Sequence, residues 1–385
     1  MNIVIAIDSF KGSISSTVAG ETAAEAVREV LGQKASVRVF PIADGGEGTV
    51  DALTAGLGGE EVRLEVTGPL GEKIQSRYGK VPQSRLAIIE MADAAGICLV
   101  PEAQLNPLHT TTFGLGEIIR HAVRAGCRDF IIGIGGSATN DAGLGMLTAL
   151  GAKFYDEAGK PVGIFGRDIV QIASIDLQGM DPLLNECRFR IACDVTNPLY
   201  GENGCSAIYG PQKGATPSIV SEMDSAIKRF AQLAERELGL GDPQLPGAGA
   251  AGGLGYAFNT FLGGTLMPGV SLIINAIGLE KALSSADVVI TGEGRMDAQT
   301  AMGKAPAGVA SLARRLRPEA VVTALCGCAE KNAEAVSSCG IDAYFPILHM
   351  PMTTAEAMAE ETTRQNIRQT TAQISRLIQA ARQLS

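Results

Sequence analysis

This sequence predicts an α/β protein of two lobes, on three observations. Short apolar runs near both chain ends each lead into a polar, Gly-bearing turn and then a helical pattern, the rhythm of a parallel, doubly wound sheet. Between them, residues 60–92 alternate apolar and polar around a Gly-Pro turn, as antiparallel strands do. At 385 residues the chain is also too long for one ordinary domain.

The elements follow in order. Residues 3–7 open into Asp8-Ser9-Phe10-Lys11-Gly12-Ser13, and a helix is predicted over about 17–31. Residues 37–42 lead into Asp44-Gly45-Gly46-Glu47-Gly48-Thr49 and a second, short helix. Residues 63–67 and 73–79 form a hairpin across Gly68-Pro69-Leu70-Gly71. Two parallel-type strands follow, 130–134 and 189–193, each ending in a polar loop. The Gly/Ala tract from Gly247 to Gly255 precedes a helix and suits either ligand approach or close packing. Near the C-terminus, residues 288–291 run into Gly292-Glu293-Gly294-Arg295-Met296-Asp297, residues 320–325 into Cys326-Gly327, and residues 343–348 into a helix over about 353–384. Ile367, Ile374, Leu377 and Ile378 are its expected packing face. The layout is a Rossmann-like lobe from residues 1–60 and 285–385, with a mixed α/β lobe inserted over 61–284.

Composition removes several function classes. Acids outnumber Lys and Arg by 41 to 32, no basic block occurs and Trp is absent, so nucleic acid is not expected as a partner. No apolar stretch approaches the roughly 20 residues of a membrane span, and the apolar start is cut short by Asp8 and Lys11. The eight Cys lack zinc-type spacing, which suits free thiols of a reducing cytoplasm. A small anionic ligand remains compatible with an acidic exterior.

Chemistry concentrates where strands end. In Gly133-Ile134-Gly135-Gly136-Ser137-Ala138-Thr139-Asn140-Asp141-Ala142-Gly143 a buried strand meets flexible residues, a hydroxyl, Asn and Asp. Such a loop resembles a phosphate cradle, although Ser137 or Asn140 could merely cap a helix. It is neither a Walker A loop nor a dinucleotide fingerprint. Asp8, Ser9 and Lys11 end the first strand, and Lys11 at a helix start would oppose the dipole unless an anion lay nearby. Asp194, before Thr196-Asn197-Pro198, suits a general base, a metal ligand or an Asx turn. Lys213 is held between Pro211 and Gly214, and Arg295 is flanked by Gly; Arg pairs bidentately with carboxylate or phosphate. The three His have no metal spacing and no Gly-x-Ser-x-Gly elbow comes with a suitable His, which disfavours a hydrolase triad. Acids, cations and glycine backbone are the tools of phosphoryl transfer.

These motifs occur in the same order in a known family. Asp8-Ser9-Phe10-Lys11, the segment from Pro41 to Thr49, Val66-Thr67-Gly68-Pro69, Gly133 through Asp141, the segment from Ala192 to Leu199, Gly210-Pro211-Gln212-Lys213-Gly214, Gly247 through Gly255 and Thr291 through Arg295 together resemble the bacterial type I glycerate kinases over essentially the whole chain. The resemblance implies ATP- and Mg²⁺-dependent phosphorylation of D-glycerate, usually to 2-phosphoglycerate. It also implies a flavodoxin-like lobe from the two termini and a second α/β lobe, with the motifs in the cleft between them. Residue chemistry then suggests roles. Asp194 is the expected base, with Lys11 beside the reaction. Asp8, Ser9, Lys11 and Arg295 hold the substrate; Gly135, Gly136, Ser137, Asn140 and Lys213 cradle the phosphates; Asp141 and Asp297 sit near Mg²⁺. A homodimer in the cytoplasm is the expected state. The alternatives are transfer to the 3-hydroxyl, another small hydroxy acid as substrate, or a non-catalytic sensor of sugar acids or nucleotides.

Overall fold

The computed structural model describes residues 1–382. Its strands are β1 (Asn2–Ile7), β2 (Ser36–Val39), β3 (Glu60–Thr67), β4 (Lys73–Val81), β5 (Leu86–Glu90), β6 (Asp129–Gly133), β7 (Lys153–Tyr155), β8 (Ser174–Asp176), β9 (Arg188–Ala192), β10 (Thr265–Met267), β11 (Val288–Met296), β12 (Val321–Ala329) and β13 (Ala343–Pro346). The α/β class expected from the sequence is found, and the chain divides into two compact units. One comprises Met1–Asp44, Asp51–Gly58 and Val270–Ser385; the other comprises Gly45–Val50 and Gly59–Gly269.

The first unit is built on a five-stranded sheet in the order β13-β12-β11-β1-β2, parallel throughout. Within this unit the strands thus run 2-1-3-4-5, the flavodoxin-like order, whose ligand point lies where the order reverses, between β1 and its neighbour β11. Alternate residues of β1 serve opposite faces. Ile3, Ile5 and Ile7 pack with Ala19, Ala23 and Val27 of the helix Ser16–Leu31 and with Ile367 and Ile374 of the helix Glu360–Ala381. Val4 and Ala6 pack on the other face with Val309 and Ala313 of the helix Ala305–Leu316, and with Val270, Ile274, Leu279 and Leu283. Ser15 caps the first helix by accepting from the Val18 N–H at 3.3 Å.

Three local expectations change. Gly292 and Gly294 do not end β11, which runs on to Met296, and β12 likewise continues through Gly327 to Ala329. These glycines serve close strand approach: a Cβ on Gly292 would lie 2.3 Å from the Leu325 carbonyl oxygen, and one on Gly327 would lie 2.4 Å from that of Gly294. The last helix is interrupted at Ala359, whose ψ of 131° is extended, giving helices Thr354–Met358 and Glu360–Ala381; its expected end at Leu384 lies outside the described residues. Leu377 is 63% exposed while Ile367 and Ile374 are buried, because at 100° per residue position 377 turns roughly 80° away from the stripe shared by 367, 374 and 378.

The second unit carries a six-stranded sheet, β10-β9-β6-β5-β4-β3. The strands from β10 to β5 are parallel, and the antiparallel pair β3–β4 is the hairpin expected around Gly68. Phe130 stacks on Phe189 in its core, and Phe258 lies against Phe189 at a tilt. A short antiparallel pair, β7–β8, lies apart from the main sheet.

Candidate active site

In the second unit, the loop after β6 is built around two buried charges. Asp141 is fully buried. One of its oxygens, Oδ2, accepts from the Thr112 N–H at 2.9 Å, the Thr112 hydroxyl at 2.7 Å and the Gly145 N–H at 3.2 Å, while Oδ1 accepts from the Gly143 N–H at 3.1 Å. Burial pushes its carboxyl upward against these donors. With both oxygens occupied and no solvent access, Asp141 ties the loop to the start of the helix Leu144–Ala149 and does not present an oxygen to Mg²⁺. The metal role expected from the sequence does not suit this placement.

Lys213 is the other charge. It closes a 3₁₀ turn, Pro211–Lys213, followed by Gly214 at φ +89°, where a Cβ would lie 2.0 Å from the Leu105 carbonyl oxygen. The turn holds Lys213 at 2% exposure, its ammonium donating to Ser137 Oγ and to the Thr139 carbonyl, both at 2.6 Å. Burial lowers its pKa to about 8, and its nearest opposing influences, Cys205 and Asp141, do not outweigh that. The loop also keeps Gly135 and Gly136 exposed, with Gly136 at φ +71°. Asn140 donates to Ser206 Oγ at 2.8 Å, leaving its buried Oδ1 without a partner. The structure therefore brings Gly135, Gly136, Ser137, Asn140 and Lys213 into one cluster.

The Gly/Ala tract packs closely against the same cluster. Gly252, at φ +68°, donates no side chain because a Cβ would stand 2.1 Å from the Thr139 carbonyl oxygen; its own carbonyl accepts from the Ala142 N–H at 2.9 Å. Ala142 sits at φ +48°, a left-handed conformation that L-residues adopt at a cost. Asp194, at the end of β9, is exposed, and its Oδ1 accepts from the Gly269 N–H at 2.9 Å.

In the first unit, the functional candidates converge at the reversal of strand order. Asp8 directly follows β1, and its N–H donates to the Gly292 carbonyl of β11 at 2.9 Å. It is 4% exposed. Burial first, then Asp44 and, least, Glu293 push its carboxyl up to about 7 against the Ser9 N–H and Lys11. Ser16 fixes the approach of Asp8 and Asp44: its hydroxyl donates to the Ile7 carbonyl at 2.6 Å and accepts from the Ile42 N–H at 2.8 Å. Lys11 lies 3.9 Å from Asp44. It precedes the helix at Ser16 by a full turn, so the expected conflict with the helix dipole does not arise; what Lys11 meets is a carboxylate.

Glu293 is a residue that sequence reasoning left without a role. It is buried within β11, accepts from the Thr300 hydroxyl, and is pushed upward by burial. The signal was an acid inside what proves to be one continuous strand. Asp297 accepts from the Gln299 N–H at 2.8 Å and the Thr300 N–H at 3.2 Å, with Lys304 and Arg295 each 4.0 Å away. Arg295 is largely exposed and paired with Glu330.

Comparison with known proteins places the chain. A model described as the Glycerate kinase family matches residues 3–379. The chain belongs to the glycerate kinase family. It is 45% identical over 349 residues to a glycerate kinase of Haemophilus influenzae, covering 91% of this chain and 92% of that one. It is 44% identical to the glycerate 2-kinase of Escherichia coli K12, covering 90% and 91%. Among solved structures, that of a protein assigned as glycerate kinase 2 from Salmonella typhimurium LT2 superposes with a TM-score of 0.91 at 43% identity, covering 100% of this chain and 99% of the other. The two-lobed α/β architecture is thus that of the family. No helix among the described residues is long and apolar enough to cross a membrane.

Proposed function

We propose that this protein transfers the γ-phosphoryl group of MgATP to a hydroxyl of D-glycerate, at the 2-position, giving 2-phosphoglycerate and ADP. Family membership along nearly the whole chain, residues 3–379, is the observation that carries it, and the local chemistry agrees. A buried ammonium without an ion-pair partner among the described residues, next to exposed glycine backbone, suits phosphate oxygens, which need positive charge and N–H donors. Gly135, Gly136, Ser137, Asn140 and Lys213 are assigned to the phosphates. Lys11, with Ser9, is assigned to the substrate carboxylate, and Arg295 joins once released from Glu330. Asp194 and Asp8 are the two carboxylates able to receive the hydroxyl proton.

Mg²⁺ would enter with the nucleotide substrate. Among the described residues no group of three or more His, Cys, Asp or Glu is arranged to hold a metal. Of the two acids expected near it, Asp297 keeps some access, though two cations flank it. When bound, Mg²⁺ would neutralise charge on the phosphates. All eight cysteines are free thiols, which suits a cytoplasmic setting.

The test is incubation with MgATP and D-glycerate, following ADP release, with phosphorus NMR of the product. A 2-phosphoglycerate signal is expected. A 3-phosphoglycerate signal would move the transfer to the 3-hydroxyl, and ADP release only with another hydroxy acid would change the substrate. Nucleotide binding without any ADP would support the sensor alternative.

A further inference from the structure

We propose that Asp8, not Asp194, is the catalytic carboxylate that takes the proton from the reacting substrate hydroxyl. The assignment presupposes glycerate phosphorylation and names the base of that reaction.

Position favours Asp8. Asp8 stands at the carboxyl end of β1 beside β11, the reversal point of a 2-1-3-4-5 parallel sheet, where such folds receive ligands. Two backbone ties hold it there, its own N–H to the Gly292 carbonyl and the Ile7 carbonyl to the Ser16 hydroxyl. Neither uses its side chain.

Bonding favours it as well. Asp8 is more than nine-tenths buried, yet its carboxyl accepts one hydrogen bond, from the Ser9 N–H to Oδ1 at 2.6 Å; no described residue donates to Oδ2. The other acids of the candidate set are differently placed. Asp141 has four donors, Asp297 accepts from two backbone N–H groups, and Asp194 is exposed and accepts from Gly269. Donors and solvent stabilise a carboxylate and make it a poor proton acceptor, whereas a buried carboxylate lacking them is a strong one.

The surrounding charge acts in the same direction. Asp44 and Glu293 face Asp8 and Lys11 opposes them, while Glu293 in turn faces Lys304 and Asp297. Two acids near Asp8 raise its affinity for a proton. Lys11, three residues along the same loop, supplies the cation that a 2-hydroxy acid needs beside the base, since its carboxylate and hydroxyl sit on adjacent carbons.

In the step, the O–H bond of the glycerate hydroxyl breaks and its proton passes to Asp8 Oδ2. The oxygen's electron pair forms the new bond to the γ-phosphorus of ATP. The bond between that phosphorus and the β,γ-bridging oxygen breaks, and its electron pair leaves with ADP. The proton on Asp8 then passes to solvent after product release.

The experiment measures glycerate-dependent ADP release from pH 5.5 to 9 for the wild type, Asp8→Asn, Asp8→Glu, Asp44→Asn and Asp194→Asn. Activity of the wild type should fall on the acid side with a midpoint near 7. Asp8→Asn should lose roughly 10²–10⁴-fold in kcat, the usual worth of a general base, with little change in KM for ATP, and Asp8→Glu should recover part of the loss. Asp44→Asn should move the acid limb to lower pH, a readout that does not depend on how the Asp8 variants fold. Near-normal turnover of Asp8→Asn, or an acid limb that disappears in Asp194→Asn and is unmoved in Asp44→Asn, would overturn the assignment while leaving the kinase intact. A wild type that releases no ADP with glycerate would overturn both.

Discussion

Lys213→Met separates what a buried cation costs the fold from what it gives the reaction. In the folded chain Lys213 is 2% exposed and burial lowers its pKa from 10.5 to about 8, a difference worth about 3 kcal/mol. The folded state therefore holds the proton less tightly than the unfolded chain. Below about pH 8 both states are protonated and the full penalty opposes folding. Between about 8 and 10.5 the folded state releases its proton first, the unfolded chain binds more protons, and stability rises with pH. Methionine removes the penalty together with two charge-assisted hydrogen bonds, to Ser137 and Thr139, worth about 1.5 kcal/mol each at the low end. At pH 7.5 the two effects nearly cancel, and the variant should unfold within about 1–2 kcal/mol of the wild type. Urea unfolding at several pH values then gives the decisive quantity, wild-type stability minus variant stability. That difference should increase by about 3 kcal/mol from pH 7.5 to 10.5. Other groups that titrate at high pH cancel in the difference. A difference that stays flat across this window would mean that the ammonium is hydrated in the folded state. Phosphoryl transfer by the variant should fall by at least about 10².

Two further substitutions probe the loop that carries Lys213's partners. Gly252→Ala places a Cβ 2.1 Å from the Thr139 carbonyl oxygen at φ +68° and should cost about 2 kcal/mol or more in urea unfolding; hydrogen exchange should show faster opening of residues 135–143. Thr112→Val removes a hydroxyl that donates to Asp141 and accepts from the Met146 N–H at 2.9 Å. It leaves a buried carboxylate and a buried N–H each short of a partner, so a loss of about 2–3 kcal/mol is expected, read from the same unfolding curves.

Much of the architecture was legible in the residues. The apolar runs that end in Gly-bearing turns became parallel strands, and the alternation around Gly68 became the β3–β4 hairpin, because burial on two faces or one leaves a period that local sequence records. The phosphate-loop candidates were legible too, since Gly133 through Asp141 and the turn Pro211-Gln212-Lys213-Gly214 announce fixed backbone near a strand end. Glycine was the ambiguous letter. Gly292 and Gly327 read as turns, yet they lie inside strands where a neighbouring backbone leaves no room for Cβ, and that neighbour is remote in sequence.

By itself, then, the sequence determined the fold class, the family and the segments that bear charge. Tertiary structure decided which charges are available. Asp8, Asp141, Asp194 and Asp297 look alike as strand-end acids, and they differ in how many donors and how much water each meets. Those donors come from residues as distant as Thr112 for Asp141 and Gly269 for Asp194. A carboxylate's proton affinity is set by burial and by neighbours brought together through folding, and neither quantity is written in the residue or in those beside it.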